Sequence, residues 1–216
     1  MIQPYIIAID GLAASGKTTL TKNLANKLGF EYLLTGNLYR LVAKNILDKD
    51  ISPNDIASIV AIAKTIEISN KHPLELTSSK IAETTSVIAT YPELRSVMDQ
   101  IQRDFAQLHP KGVIVEGRDI GTVIFPNANI KLFIKADDRS RATRRYKELR
   151  NKGFQVIYED ILEGLKSRDD RDKGRSASPL MIADDAIEID TSDINTGQLL
   201  VMVLDIIKQK AALNRP

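Results

Sequence analysis

Eight consecutive residues, Gly11-Leu12-Ala13-Ala14-Ser15-Gly16-Lys17-Thr18, narrow the folds open to this 216-residue chain more than any other stretch. They follow a short, isoleucine-rich apolar run at 5–10 (YIIAID). They lead into a segment where Leu20, Leu24 and Leu28 recur every four residues, until Gly29 stops it. The first pattern reads as a strand buried on both faces and central in a sheet; the second reads as a helix with one apolar stripe. Strand, G-x-x-x-x-G-K-[ST] and helix, in that order, make a phosphate-binding loop. The glycines let backbone N–H groups turn toward phosphate oxygens, and the helix start adds its positive dipole end. A lysine there is electrostatically misplaced unless an anion is present. The loop therefore predicts a nucleoside triphosphate as ligand, with Lys17 bridging its β and γ phosphates and the Thr18 hydroxyl offered to Mg²⁺. Thr18 and Thr19 alone would be unremarkable, since threonine near a helix start is often only a cap.

Further apolar runs at 113–115, 130–134 and 186–189, with a weaker one at 30–34, alternate with helical patterns. This is the signature of βαβ units and an α/β fold with a five-stranded parallel sheet flanked by helices. Helices are expected at about 37–48, 53–63, 79–90, 92–108, 138–150, 157–169 and 195–212. Ser52 is the expected cap of the second, with Pro53 in its first turn and Asp55 three residues after the cap. The length suits a single domain, 1–216. Two stretches fall outside the alternating core: a mainly helical insertion at about 35–105 and a polar, Arg/Asp-rich excursion at about 153–178. Both are expected to be mobile flaps.

Several classes of function are excluded or weakened. There is no cysteine, which removes disulfides, cysteine-based zinc sites and thiol nucleophiles, and suits a reducing compartment. No apolar run approaches the length needed to span a bilayer and no secretory pattern opens the chain, so a soluble, cytoplasmic protein is expected. With 30 basic and 28 acidic residues the net charge is only +2, giving no general attraction to nucleic acid. Charge is uneven, however: seven of the fourteen residues at 139–152 are Arg or Lys, and a mixed run follows at 166–175. Charge pattern alone leaves two solvated helix faces as an equal reading. A small GTPase would need an N-K-x-D sequence, and Asn151-Lys152-Gly153-Phe154 lacks the aspartate.

Three further motifs carry a resemblance. Thr35-Gly36-Asn37-Leu38-Tyr39-Arg40 follows the second strand, Val115-Glu116-Gly117-Arg118-Asp119-Ile120-Gly121-Thr122 follows the third, and Arg168-Asp169-Asp170-Arg171-Asp172 continues to Arg175. In order and spacing around the loop, they resemble the bacterial cytidylate kinase family over nearly the whole chain. The resemblance implies transfer of the γ-phosphoryl of ATP to CMP or dCMP by a monomer, with small-molecule partners and no membrane or nucleic acid. It implies that 35–105 binds the acceptor and that 153–178 is a lid. It assigns Arg40, Arg118 and Arg175 to the acceptor phosphate, Arg168 and Asp172 to its sugar, and Ser86, Arg95 and Asp119 to the cytosine. Thr35 and Tyr39 join the acceptor set, and Thr84 or Thr85 is an alternative to Ser86. The donor set is residues 11–18 with Thr19, Arg141, Arg144 and Arg145. Lys17, Arg118, Arg168 and Arg175 form the catalytic set.

Chemistry supports that arginine set. Two polyphosphates in one dry space gather several negative charges, and a permanently charged, forked guanidinium suits them. Arg141, Arg144 and Arg145 before the lid, with Arg168, Arg171 and Arg175 on it, are expected to close on the transferred group. No general base is needed, because the attacking oxygen belongs to an ionised phosphate; His72 and His109 are expected at the surface. Glu116 has two readings, holding a Mg²⁺-bound water or capping nearby backbone. The chain departs from the family in two places. Its loop reads Leu12-Ala13-Ala14-Ser15 where proline, serine, glycine and alanine are common. Thr77-Ser78-Ser79 stands where an Ile-Arg pair usually precedes the Ser86 helix, which puts base selectivity at risk. A kinase of UMP, AMP or shikimate is the nearest alternative; a nucleic-acid-binding ATPase using 139–152 is the alternative from another class.

Overall fold

A computed structural model describes residues 4–68 and 74–213 of the chain. The first apolar run forms β1 (Ile6–Gly11), flanked on one side by β3 (Val113–Glu116) and β2 (Glu31–Leu34), on the other by β4 (Ile130–Lys135) and β5 (Ile187–Asp190). The order is β2-β3-β1-β4-β5 and every pairing is parallel. Ile6 lies opposite Val113, and Ile7 opposite Ile130. Because successive strand residues face opposite ways, β1 serves two cores. Ala8, with Val113 and Val115, packs under α2 (Thr35–Asp48), α3 (Ile56–Ala63), α4 (Ser79–Ile88) and α5 (Pro92–Gln107). Ile7 and Ile9, with Ile114, Leu132 and Ile134, pack under α1 (Lys17–Leu28) and α8 (Thr196–Leu213). Ile7, Ala8 and Ile9 are fully buried, which is why that run carries no alternation.

The connections place the functional elements. Helices α2 to α5 lie between β2 and β3; α6 (Asp138–Asn151) and α7 (Tyr158–Gly174) lie between β4 and β5. Side-chain caps fix several starts: Ser78 accepts from Ile81 N at 3.3 Å and Asp137 from Ser140 N at 2.9 Å. At α3 the cap is Asp55, which accepts from Ser58 N at 3.0 Å, and not Ser52; Ser52 Oγ instead accepts from Asn54 N within the preceding turn. The carboxylate wins because residues 52–54 turn before the helix begins. Helix α7 runs to Gly174, five residues beyond the expected end, because its Arg and Asp residues find partners on other elements. After β3 the chain forms a π-helical turn, Ile120–Ile124, where the sequence suggested only a strand end.

Candidate active site

The carboxyl ends of the strands open into a cleft of about 2010 Å³. A single small-molecule pocket is usually about 300–1,000 Å³, so the space suits two ligands side by side. Its walls come from the loop after β1, from α2, α4 and α5, from the β3 end, and from α6 and α7.

The loop is held from below and turned by its glycines. At Gly11, with φ 137°, a Cβ would lie 1.9 Å from the Ile134 carbonyl oxygen, so no side chain fits where β1 passes β4. Ala14 takes φ 57°, a left-handed conformation costing an alanine about 1 kcal/mol, at the place where the resembled family commonly has glycine. Ser15 Oγ donates to Leu12 O at 2.9 Å, and the Ser15 carbonyl accepts from Thr191 Oγ1 at 2.9 Å. Lys17 is 4% exposed and folds onto the loop, its Nζ donating to Gly11 O at 2.9 Å and Leu12 O at 2.5 Å. Burial, then Arg118, pushes the Lys17 ammonium down to about 7. An anion at the loop would reverse that pressure.

Thr18 Oγ1 donates to Glu116 Oε1 at 3.1 Å, while Glu116 Oε2 is buried without a partner. A hydroxyl oxygen beside a carboxylate with a spare oxygen is a donor set for a hard divalent ion that keeps most of its water, so these residues fit Mg²⁺. Among the described residues, no group of three or more His, Asp or Glu side chains suited to hold a metal occurs.

Arginines from α6, α7 and the β3 end converge across the cleft. Asp172 is 5% exposed and lies among three of them: Arg118 Nε donates to its Oδ2 at 2.9 Å, Arg168 Nε lies 3.9 Å from Oδ2, and Arg175 Nη1 lies 3.8 Å from Oδ1. Burial raises the Asp172 carboxyl, but Arg118, Arg168 and Arg175 outweigh it and hold it below the usual range. Burial, then Arg118, pushes Arg168 down to about 10. Arg144 donates to Thr191 Oγ1 at 2.9 Å and to the Thr191 carbonyl; Arg145 pairs with Glu148 at 2.8 Å and reaches Thr77 O at 3.3 Å. Both line the cleft. Arg141, expected beside them, is not on the cleft wall: it is 1% exposed and bonds Ala13 O at 3.1 Å, with carboxylates on either side. Arg145 lies one turn further along the same face of α6; Arg141, near the helix start, sits under the loop and beside Asp169, whereas Arg145 reaches the cleft.

On the opposite side, Arg95 Nη2 pairs with Asp119 Oδ2, and the guanidinium stands 5.9 Å from the Tyr39 ring centroid. Arg95, Asp119 and Ser86 are about 4–6% exposed, and all line the cleft. Ser86 Oγ accepts from Arg171 Nη1 at 2.5 Å, joining α4 to α7. Arg40 Nη1 donates to Leu76 O at 2.6 Å, and Thr35 Oγ1 to Glu116 O at 2.8 Å. Burial pushes the Tyr39 phenol well above its ordinary value. His109, half-buried, packs on Phe105 at 4.3 Å away from the cleft; His72 lies outside the described residues.

Buried polar atoms without partners collect on these walls: Asn37 Nδ2, Tyr39 OH, Thr85 Oγ1, Arg95 Nε, Glu116 Oε2, Arg168 Nε, and Nε and Nη2 of Arg175. Natural proteins leave few such groups unsatisfied, and a concentration facing one cleft marks where a polar ligand binds. Sequence reasoning passed over Asn37 and Thr191. It also passed over Asp10, 5% exposed at the end of β1, which accepts from Ile120 N at 2.9 Å and Gly121 N at 2.7 Å. Thr191 and Asp10 both stand at strand carboxyl ends, the position at which α/β sheets gather ligand contacts.

Comparison with known proteins agrees with this layout. A family model described as "Cytidylate kinase" matches residues 7–209. A cytidylate kinase of Rhodospirillum rubrum is 41% identical over 209 residues, covering 95% of this chain and 98% of its own. One of Methylocella silvestris is 42% identical over 203 residues, covering 94% of each. Among solved structures, a shikimate kinase from Acinetobacter baumannii in complex with shikimate aligns with TM-score 0.50 at 16% identity, covering 100% of this chain and 97% of that one. That last likeness is one of fold.

Proposed function

The chain belongs to the cytidylate kinase family, and from that premise we propose that it transfers the γ-phosphoryl group of ATP to CMP and dCMP, giving ADP with CDP or dCDP. The observation that carries the reading is the meeting, in one cleft, of a phosphate-binding loop and a ring of buried and half-buried, partly unpaired arginines. Residues 11–19 with Arg144 and Arg145 take the triphosphate. The segment from 35 to 105 takes the acceptor, and 153–178 is the lid over both. Arg40, Arg118 and Arg175 grip the acceptor phosphate, Arg168 and Asp172 reach the sugar, and Ser86 or Thr85, with Arg95 and Asp119, reads the base.

The chemistry asks for positioning and charge neutralisation more than for proton transfer. At neutral pH the acceptor phosphate is already ionised, so no side chain must deprotonate it. Lys17 leaves the loop carbonyls for the β and γ phosphates. Arg118, Arg168 and Arg175 neutralise the charge that develops on the transferred group. Thr18 with Glu116 would hold Mg²⁺, which when bound neutralises and orients the β and γ phosphates. A carboxylate only accepts hydrogen bonds, so Asp119 favours the N4 amino group of cytosine over the O4 carbonyl of uracil.

No helix among the described residues is long and apolar enough to cross a membrane; a cytoplasmic monomer acting on small molecules is part of the same proposal. The test is ADP release from ATP and Mg²⁺ with CMP, dCMP, UMP, AMP or GMP as acceptor. Release that needs an acceptor and is fastest with CMP or dCMP supports the assignment. Release without any monophosphate, or fastest with AMP, refutes it.

A further inference from the structure

Arg141 is among the largest fully buried side chains, at 1% exposure, yet it carries a permanent charge. Its guanidinium joins three elements. Nη1 donates to Ala13 O in the phosphate-binding loop at 3.1 Å and lies 2.6 Å from Asp169 Oδ2 on α7; Nη2 lies 2.6 Å from Asp138 Oδ1 at the start of α6. The same elements share a small apolar core, Ala13, Ala142 and Leu165 with Ala14, Tyr158, Ile161 and Leu162 against it. Within the cluster, Arg141 Nε and Asp169 Oδ1 are buried without a partner. An incoming phosphate would have to displace two carboxylates to reach this group, and Arg141 does not line the cleft.

We propose that Arg141 is a positioning residue that straps the lid helix α7 to the phosphate-binding loop, fixing where the lid arginines stand over the triphosphate; this rests on the kinase reading above. Asp169 follows Arg168 directly and precedes Asp172 by three residues. Holding Asp169 against Ala13 therefore sets both the height and the rotation of the turn that carries Arg168 and Asp172 and leads to Arg175. A planar fork bonds a carbonyl and two carboxylates at once, whereas an ammonium on a flexible stem does not hold all three in fixed directions. Removing one member of a buried charge cluster leaves its partners uncompensated. The strap thus holds only as a set.

The test compares Arg141→Met, Arg141→Lys and Asp169→Asn with the wild type in three readouts: steady-state kinetics, ADP binding by calorimetry, and amide exchange of residues 158–174 in protein without nucleotide. The strap predicts that Arg141→Met and Asp169→Asn each lower kcat by about tenfold or more, with ADP affinity changed less than about twofold. Exchange in α7 quickens in both, and a variant combining Arg141→Met with Asp169→Asn is no worse than the more impaired single one. Arg141→Lys keeps the charge and loses the fork, and shows the same lid exchange. If Arg141→Met does not fold, Arg141→Lys and Asp169→Asn carry the comparison. The proposal is overturned if ADP affinity falls by the same factor as kcat/KM in the Arg141 variants while Asp169→Asn is silent, which would make Arg141 a nucleotide ligand. Unchanged lid exchange in the variants overturns it equally. A wild type with no acceptor-dependent ADP release would sink the kinase reading instead, and exchange and ADP binding would still report on the strap.

Discussion

On the proposed reading, the two halves of the cleft solve the same problem, binding phosphate, with different materials. The proposed donor half is built mainly from one continuous segment, to which α6 adds Arg144 and Arg145. Residues 11–18 take their shape from local backbone geometry, Gly11 against Ile134 and Ala14 at positive φ, and the charged group Lys17 rests on carbonyls of its own loop. The acceptor half is made of side chains brought from α2, α4, α5, the β3 end and α7, and its charges answer one another: Arg118, Arg168 and Arg175 around Asp172, Arg95 on Asp119. A loop shaped by backbone has its donors in place before ligand arrives, and only Lys17 must turn away from its carbonyls. A cluster that is internally paired must exchange partners, which ties phosphate binding to lid position.

The largest effect should come from the donor half. Lys17→Ala removes the one cation the loop owns and should lower kcat/KM by about 10³-fold with the fold intact by circular dichroism; near-normal turnover in a folded variant would remove the loop from the chemistry.

Next comes the joint between the halves. Asp10 ends the donor strand, and its carboxylate holds the backbone just after Asp119; burial pushes its pKa up to about 6, opposed by its bonds from Gly121 and Ile120. For a carboxyl whose folded pKa is raised, the native state holds more protons than the unfolded one between about pH 4 and 6. Its contribution to stability is therefore greatest below that window and falls as pH rises through it, by about 3 kcal/mol in total. Denaturant unfolding of wild type and Asp10→Asn at pH 4.5 and 7 should show the wild type losing ground at the higher pH; a constant difference would mean that Asp10 does not titrate there.

In the acceptor half, Arg175→Ala should lower kcat by about 10²-fold while leaving ATP affinity nearly unchanged, since this side chain acts when the lid closes on both nucleotides. Equal loss of ATP affinity, with turnover intact at saturation, would make it a surface contact. Asp119→Asn is expected to be milder. An asparagine amide can donate to O4 of uracil, so the CMP/UMP ratio of kcat/KM should narrow by about tenfold. If both acceptors fall by one factor, Asp119 orients Arg95 and does not read the base.

The same contrast explains what the sequence made legible. The strand, loop and α1 were readable because all their determinants lie within 5–29, and the central place of β1 followed from its unbroken apolar run. Side-chain pairing between distant elements was not. Nothing near 168–174 in the chain announces that Asp172 meets Arg118 or that Arg171 meets Ser86, so α7 was expected to end early. The cap of α3 was misjudged because Ser52 and Asp55 both suit the role, and only the turn at 52–54 decides between them. Spacing puts Arg141 on the same face of α6 as Arg145, and only the contacts with Ala13 and Asp169, distant in sequence, decide that Arg141 is buried instead of lining the cleft. The π-helical turn after Asp119 depends on Asp10, 110 residues away.

The central claim is that Asp172 supplies, within the acceptor half, the negative charge that its three arginines otherwise draw from phosphate. Thermal unfolding of wild type and Asp172→Asn, with and without inorganic phosphate, tests it most directly. Without phosphate the variant should melt lower, since one buried and two half-buried cations lose their shared partner. With phosphate its melting temperature should rise by several degrees more than that of the wild type, because an anion that binds only the native state stabilises it. Equal phosphate shifts in the two proteins would contradict the account.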